Sequence, residues 1–503
     1  MTPRIDPPKV YLVGAGPGDP ELITVKGRRI LQRADSVLYD HLANPALLDL
    51  APPAAERVYV GKKRSAHEFT QPEICGMLIE RARRGLNVVR LKGGDPFLFG
   101  RGGEEAEALA DAGVAFEIVP GVTTPLGLAA YTGVPLTHRE HTSVVTFITG
   151  HAVQAIDWAK VGHAETLVIF MGLTTFPEIA RELIAHGRSP DTPAMAVRWA
   201  TRPDQETVAG TLAELPGMLA GMKPPATIVV GEVVRLREKL DWYQRLPLFG
   251  KRIVVTRARE QADALASLLT ALGAGVIELP TIEIRPPADS GPLDRAIANL
   301  PQYDWLIFTS ANGVRFFVDR LDDLRHLRAK ICAIGPATRA AVESLHVKVD
   351  LMGREYVAEG LLEAFAAHDL SGRRVLLPRA AVARDLVPVE LAKRGALVDV
   401  VEAYRTVPPL GLAERIRDVF TRPPDCITFT SSSTVRNFVE AAGPGTLDGV
   451  QVASIGPITT KTARDLGLAV AVQAQPFTVE GLVEAVLGLY TETQPQTPPR
   501  PEP

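Results

Sequence analysis

Asp40 ends the apolar run Ser36-Val37-Leu38-Tyr39, and Lys62 follows a second one, Val58-Tyr59-Val60-Gly61. A strand that ends in a carboxylate or an amine carries that group to the carboxyl edge of an α/β sheet. Ligands bind there, and a proton can be taken or given there. Locally, Asp40 reads equally well as the N-cap of a following helix. The run Gly61-Lys62-Lys63-Arg64, with Arg90, Lys92, Arg101 and Arg139, could form a basic rim on the same edge.

The stretch Val88–Glu105, VVRLKGGDPFLFGRGGEE, places Gly93, Gly94, Gly100, Gly102 and Gly103 behind an apolar start. A plain turn needs one or two glycines. Five at a strand end let the main chain approach a ligand closely and take φ > 0. The acidic pair Glu104-Glu105 suits the N-terminus of the next helix. An earlier loop, Gly14-Ala15-Gly16-Pro17-Gly18-Asp19-Pro20, invites the dinucleotide pattern G-x-G-x-x-G and misses it. Its third glycine comes one residue early, and Pro17 has no N–H for a pyrophosphate. The loop therefore suits a ligand without phosphate. Asp19 and Pro20 predict the cap and first residue of a helix over 21–34. Pro120-Gly121-Val122-Thr123-Thr124 follows another strand and offers two hydroxyls. His138 and His141 have ligand spacing but sit in a loop without a carboxylate partner, so no metal site is expected.

The second half repeats itself. Phe308-Thr309-Ser310-Ala311 echoes Phe429-Thr430-Ser431-Ser432, Ile334–Thr338 echoes Ile455–Thr459, and Glu359-Gly360-Leu361 echoes Glu480-Gly481-Leu482, all at a spacing of 121 residues. Gly250-Lys251-Arg252-Ile253 echoes Gly372-Arg373-Arg374-Val375 at a spacing of 122. Several matches in register mean two related α/β halves. Each half has a strand running into Thr-Ser and another into Gly-Pro-x-Thr before a helix. Hydroxyls and free N–H groups at helix N-termini hold anions, and two such sets facing a cleft would suit an elongated ligand with many carboxylates. Plain helix capping accounts for each hydroxyl singly. It accounts less well for four in a row, Thr430 to Ser433.

The elements that must position these groups alternate as strand and helix throughout, which is an α/β class. The first half reads as two α/β units, 9–120 and 121–240, and residues 235–249 as a docking linker. With 46% hydrophobic and 22% charged residues the chain is of globular composition. A net charge of −3 gives no global field for nucleic acid. No apolar run reaches the ~18 residues of a membrane span. Cys75, Cys332 and Cys426 lie far apart, against a zinc site or disulfide framework. The N-terminus lacks an apolar signal core, and the expected compartment is the cytoplasm. Residues 489–503 are expected to be a disordered tail.

Val13–Asp19, Leu38–His41, Gly61-Lys62, Leu91–Glu105, Pro120–Thr123 and Leu136–Arg139 together resemble the tetrapyrrole methylase family, in its uroporphyrinogen-III C-methyltransferase branch, over 9–240. Phe308–Val314, Ile334–Thr338, Val401–Thr406, Phe429–Ser433 and Ile455–Thr459 resemble the uroporphyrinogen-III synthase family over 250–488. The first resemblance implies a two-domain fold, usually a homodimer, with S-adenosyl-L-methionine held by Pro17, Gly93, Gly94, Asp95, Leu98, Thr123, Thr124, Met171, Ala200 and Ala226. It implies Asp40 as proton acceptor, Lys62 as proton donor and Arg139 near a tetrapyrrole substrate. Thr124 and Arg198-Trp199-Ala200-Thr201 depart from the family pattern.

The second resemblance implies domains of 250–283 plus 407–488 and of 284–406, with hydroxymethylbilane between them. Tyr404 would assist loss of its hydroxyl, an interdomain packing role being the alternative. Thr309, Ser310, Thr338, Thr430, Ser431, Ser432 and Thr459 would bind it. The two activities are consecutive, which makes their fusion sensible. Rival readings are a nicotinamide oxidoreductase, which Pro17 disfavours, a tetrapyrrole carrier without synthase activity, and a methylase of a later corrin intermediate.

Overall fold

A computed structural model describes residues 9–61, 69–353, 358–383 and 385–491. The chain forms two compact units that divide at Lys251/Arg252, with Ala271–Gly275 grouped with the first.

The first unit holds two sheets. Strands β1 (Val10–Gly14), β2 (Ser36–Tyr39), β3 (Glu56–Tyr59), β4 (Val88–Lys92) and β5 (Phe116–Val119) lie in the order β3-β2-β4-β1-β5. All of the pairs are parallel. Their apolar residues feed two cores. Val13, Val37 and Leu91 belong to one, and Leu12, Leu38 and Val88 to the other. That is the two-sided burial a parallel sheet requires. The second sheet takes β6 (Val145–Thr149), β7 (Thr166–Phe170), β8 (Pro193–Arg198), β9 (Glu206–Thr211) and β10 (Ala226–Val230) in the order β6-β7-β10-β8-β9. It is mixed, with β6 and β7 parallel and the other pairs antiparallel.

The expected helix over 21–34 is two pieces. Asp19 caps a short turn at Pro20–Leu22, and the Thr24 hydroxyl then accepts from Gly27 N to start a separate helix at Val25–Leu31. A second capping side chain within five residues restarts the chain direction, which periodicity alone does not reveal. The linker docks on the first unit through Trp242 Nε1, which donates to Ala130 O at 2.8 Å.

The second unit also holds two sheets. One contains β11 (Arg252–Val255), β12 (Gly275–Glu278), β19 (Cys426–Phe429), β20 (Gln451–Ser454) and β21 (Val472–Gln473), in the order β12-β11-β19-β20-β21. The other contains β13 (Glu283–Arg285), β14 (Trp305–Phe308), β15 (Lys330–Ala333), β16 (Leu351–Met352), β17 (Arg374–Ala380) and β18 (Leu397–Val407), in the order β13-β18-β17-β14-β15-β16. The 121-residue spacing carries β14 onto β19, β15 onto β20 and β16 onto β21, residue for residue. The 122-residue spacing carries the start of β11 onto that of β17. Each set of four lies in the same order within its sheet. The last helix runs from Val479 to Thr491, so residues 489–491 are helical where a tail was expected. Residues 492–503 lie outside the described residues.

Gly14, Gly94 and Gly121 meet with no room for side chains. A Cβ on Gly121 would stand 2.3 Å from Gly94 O, and one on Gly14 would stand 2.5 Å from Gly121 Cα. Gly121→Ala should lower the unfolding free energy of the first unit by about 1–3 kcal/mol, the usual range for overpacking. Gly103 has open space around it in the helix Gly102–Asp111. Gly103→Ala should be neutral or stabilise by up to about 1 kcal/mol. Urea titration followed by circular dichroism checks both; equal midpoints for the two variants would contradict the packing argument.

Candidate functional site

The carboxyl ends of β1, β4 and β5 and the loops of the second sheet enclose a cavity of about 300 Å³ in the first unit. Pro17, Gly93, Gly94, Thr124, Met171, Ala200 and Ala226 line it, beside apolar Leu42, Phe170, Val197 and Pro225. These are seven of the ten residues that the sequence pattern assigns to a cofactor.

The two glycine loops are knitted by main chain alone. Gly94 N donates to Gly16 O at 2.7 Å, and Ala15 N donates to Lys92 O at 2.7 Å. Gly94 has φ +68, the left-handed region that favours glycine. Pro17 packs against the helix Thr124–Thr132, where a Cβ on Gly127 would meet Pro17 Cγ at 2.4 Å. Asp95, expected to receive a ligand, has both oxygens engaged by main chain. Oδ1 accepts from Phe97 N at 2.8 Å and Oδ2 from Gly121 N at 3.0 Å. It clips the second glycine loop to the loop after β5. Leu98 is half-buried in that loop, and Thr123 stands one residue before the helix. Neither is among the residues that line the cavity.

Met171 (φ 51), Trp199 (φ 49) and Thr201 (φ 71) take left-handed backbone on the cavity side of the second sheet. Each such residue costs about 1–3 kcal/mol and persists only where its surroundings hold it. Thr201 is held by Asp19 N, which donates to its Oγ1 at 2.8 Å, and by its own N, which donates to Gln205 Oε1 at 2.9 Å. Trp199 lies edge-on to His41 at 5.3 Å and under the Arg202 guanidinium at 4.2 Å. This is where the chain departs from the family pattern, and the pattern alone gave no sign of the stack.

Asp40 stands at the end of β2, as its strand required. The N-cap reading does not hold, because Asn44 caps the next helical turn, Pro45–Leu50, and only a turn is closed by Asp40. Its Oδ1 accepts from Leu42 N at 3.0 Å, and its Oδ2 receives Arg90 Nη2 at 3.0 Å. The expected basic rim does not form as drawn. Arg90 and Lys92 are buried beneath the edge and bound to Glu105, while Arg101 is exposed and paired with Glu104. Charged residues at alternate positions of β4 share one face, and that face is covered by the helices Gln71–Arg83 and Gly102–Asp111. Burial first, and Arg90 second, hold the Lys92 ammonium below its usual pKa. Glu105, read as a helix-end charge, is instead fully buried. Arg139 is exposed in the loop His138–Thr142. In that loop Glu140 supplies the carboxylate that the H-x-x-H spacing lacked, with the potential ligand atoms of His138, Glu140 and His141 within 4.8 Å of one another. The His138 Nδ1 already accepts from Glu140 N at 3.2 Å. Lys62, Lys63 and Arg64 lie outside the described residues.

In the second unit Ser310 caps the helix Ala311–Val318, its Oγ accepting from Gly313 N at 3.0 Å. The same Oγ lies 3.0 Å from the Tyr404 hydroxyl. Tyr404 is buried and stacks on Phe316 at 5.9 Å. A register shift in the β17–β18 pairing, between Arg379 and Ala380, sets Tyr404 opposite Ala380. Bulges of this kind re-aim a side chain. The repeat-equivalent Ser431 makes a capping box with Thr434 instead. Ser432 bonds Thr462 at 2.8 Å. Thr309 and Thr430 are half-buried at their strand ends, whereas Thr338 and Thr459 are buried within the first turns of their helices.

One pair of residues was missed. The 122-residue echo extends to Arg257, two residues after β11, and Arg379, in the last residues of β17, each followed by alanine. Arg379 pairs with Asp385 at 2.5 Å. Arg257 is half-buried, and burial depresses its pKa. Extending the repeat by four residues would have found both.

Comparison with known proteins follows this division. Residues 9–216 match the Tetrapyrrole (Corrin/Porphyrin) Methylases, and residues 263–484 match Uroporphyrinogen-III synthase HemD. A porphyrin biosynthesis protein HemD of Ruminiclostridium josui is 35% identical, over 95% of this chain and 97% of its own. A siroheme synthase of Chromobacterium violaceum is 53% identical over 47% of this chain; the chain spans about half (52%) of that relative's length. A uroporphyrin-III C-methyltransferase of Thermus thermophilus, crystallised with S-adenosyl homocysteine, is 44% identical, covering 45% of this chain and 99% of its own, with a TM-score of 0.41.

Ser310→Ala removes a helix cap and leaves a buried phenol without its partner. It should cost about 1–3 kcal/mol in the second unit, and Ser310→Thr should retain most of that. Urea unfolding monitored on the second unit's transition measures both. An unchanged midpoint for Ser310→Ala would show that the contact contributes nothing.

Proposed function

This chain belongs to the porphyrin-biosynthesis family in which a tetrapyrrole methylase is joined to a uroporphyrinogen-III synthase, and we propose that it performs both reactions. The second unit cyclises hydroxymethylbilane to uroporphyrinogen III. The first methylates that product twice at carbon, with S-adenosyl-L-methionine, to give precorrin-2. The observation that carries the methylation is the cavity floored by bare main chain at Gly93 and Gly94.

The lining fits that cofactor. Pro17 offers no N–H and none is needed, because the cofactor has no phosphate. Gly94, Ala200 and Ala226 leave the backbone accessible, Thr124 offers a hydroxyl, and Phe170, Val197 and Pro225 exclude water. When bound, the cofactor supplies an electrophilic methyl group, whose displacement needs alignment and a dry site more than a strong base. Asp95 acts by holding the loop closed, since its oxygens already receive two main-chain donors. Asp40 takes the proton that must leave the substrate to restore conjugation. Lys62 is the proposed donor and Arg139 a proposed substrate contact.

In the second unit Thr309, Ser310, Thr430, Ser431 and Ser432, with Thr338 and Thr459 in the helix starts, receive the carboxylates of the linear tetrapyrrole. Arg257 and Arg379 add fixed positive charge at equivalent strand ends. Tyr404 assists departure of the hydroxyl, after which the terminal ring must close inverted; that step is conformational control. A homodimer through the first unit and a cytoplasmic setting complete the reading. No helix among the described residues is long and apolar enough to cross a membrane.

A single assay tests the whole. Hydroxymethylbilane and methyl-labelled S-adenosylmethionine should give a doubly methylated product resolved by mass. Asp40→Ala should slow methylation by about a hundredfold or more, leaving a measurable residue, and Gly94→Arg should stop it, while isomer III still forms in both. A product of isomer I alone would remove the synthase claim, and an unmethylated isomer III from the unaltered chain would remove the methylase claim.

A further inference from the structure

Four charged side chains run in one line beneath the carboxyl edge of the first sheet. Arg90 Nη2 donates to Asp40 Oδ2 at 3.0 Å, and Arg90 Nε donates to Glu105 Oε1 at 3.2 Å. Lys92 Nζ donates to the same Oε1 at 2.9 Å, and Gln71 Nε2 is a third donor to it at 3.1 Å. Arg90 Nη1 is tied to Leu91 O at 3.1 Å. Glu105 is 0% exposed, and its second oxygen, Oε2, has no hydrogen-bond partner. Only Asp40, with 23% of its side chain exposed, reaches the surface.

Stability does not explain this arrangement. Burying each ion costs several kcal/mol, and apolar residues of similar size often serve a core better. Nor is the carboxylate optimally satisfied, with three donors crowded on one oxygen and none on the other. What the crowding does achieve is to fix the guanidinium. Arg90 has one group on the main chain, one on Glu105 and one left for Asp40, so its plane cannot turn without breaking two contacts. A guanidinium also stays protonated. A proton captured by Asp40 therefore cannot pass inward along the line.

We propose that Glu105 and Arg90 are positioning residues for Asp40, holding its carboxylate in one orientation so that it removes the substrate proton and delivers it outward to water. The inference rests on the reading of Asp40 as proton acceptor. The step balances within the two reactants. The S–CH3 bond breaks as the new C–C bond forms and S-adenosylhomocysteine leaves, and the methylated ring carbon becomes quaternary with no hydrogen of its own. The C–H bond that breaks is on the adjoining bridging methylene, whose electron pair restores conjugation while its proton passes to Asp40 and then to solvent. Asp40 and Glu105 against Arg90 and Lys92 leave the line with two charges of each sign and no net charge.

The test is a double-mutant cycle on the full chain with uroporphyrinogen III as substrate. Glu105→Gln and Arg90→Gln should each lower the methylation kcat at least tenfold. KM for uroporphyrinogen III and the calorimetric affinity for S-adenosylhomocysteine should stay within threefold. In an Asp40→Ala background neither substitution should lower kcat by more than a further twofold, because the group they position is already gone. Arg90→Lys, which keeps the charge but not the fork, should recover only part of the loss. Losses that multiply in the Asp40→Ala background, or that track the loss of S-adenosylhomocysteine affinity, would show a merely structural role and overturn the proposal. Full kcat in Asp40→Ala alone would overturn the reading of Asp40 beneath it. Should circular dichroism show either single variant unfolded, Glu105→Gln combined with Lys92→Met, which removes one charge of each sign, takes its place with the same expected kcat and affinity split.

Discussion

The first unit depends on three main-chain segments that approach too closely for any side chain. β4, β1 and β5 are neighbours, so Gly94, Gly14 and Gly121 emerge from the sheet side by side. With no Cβ between them, the loops bond to one another directly, and Asp95 can reach across to Gly121 N. The floor of the cavity is consequently main chain. A floor of that kind is rigid, and it recognises shape and hydrogen-bonding direction without contributing charge. This explains how a proline can stand in a loop that resembles a phosphate cradle. Pro17 packs against Gly127, and nothing in the arrangement asks it to donate.

The opposite wall is strained where the floor is relaxed. Met171, Trp199 and Thr201 hold left-handed backbone without being glycine. The bonds that restrain Thr201 come from Asp19 in the first glycine loop and from Gln205 in its own turn, and Tyr243 in the linker adds a contact to Thr201 O at 3.3 Å. Asp19 is itself held by the Tyr131 hydroxyl at 2.6 Å. The two sheets of this unit are thus cross-braced beside the cavity, which Met171 and Trp199 line.

Much of this was legible in the residues, and the limit was distance along the chain. Strand runs ending in Gly14, Asp40 and Gly93 are local patterns, and they placed the glycine loops and the carboxylate on one edge correctly. The partner of Asp40 is fifty residues away. Arg90 and Lys92 on a strand near that edge suggested a solvated rim, because charged side chains are rarely buried unless paired. Their pairing needed Glu105, which looked complete as a helix-end charge. The same limit hid the edge-on contact of Trp199 with His41, which follows a strand of the other sheet. In the second unit the internal repeat supplied what distance withheld elsewhere. A shared spacing puts β14, β15 and β16 onto β19, β20 and β21 before any contact is known.

That repeat also sharpens what the second unit has to solve. Two equivalent sets of strand ends and helix starts would receive a chain of carboxylates equally well in either direction. Under the proposed reaction, a linear tetrapyrrole with a hydroxyl at one end would have to be bound in only one. The structure breaks the equivalence in side chains while keeping it in the backbone. Ser310 carries the Tyr404 phenol where Ser431 carries Thr434. Arg379 is tied to Asp385 on a 2.5 Å contact, while Arg257 carries no hydrogen-bond or ion-pair partner among the described residues. The shift in the β17–β18 register falls beside Tyr404 and Arg379 together. On the proposed reaction, direction would be read by the few side chains that differ between two equivalent sets of strand ends, which is an easier problem for sequence change than building two different sets.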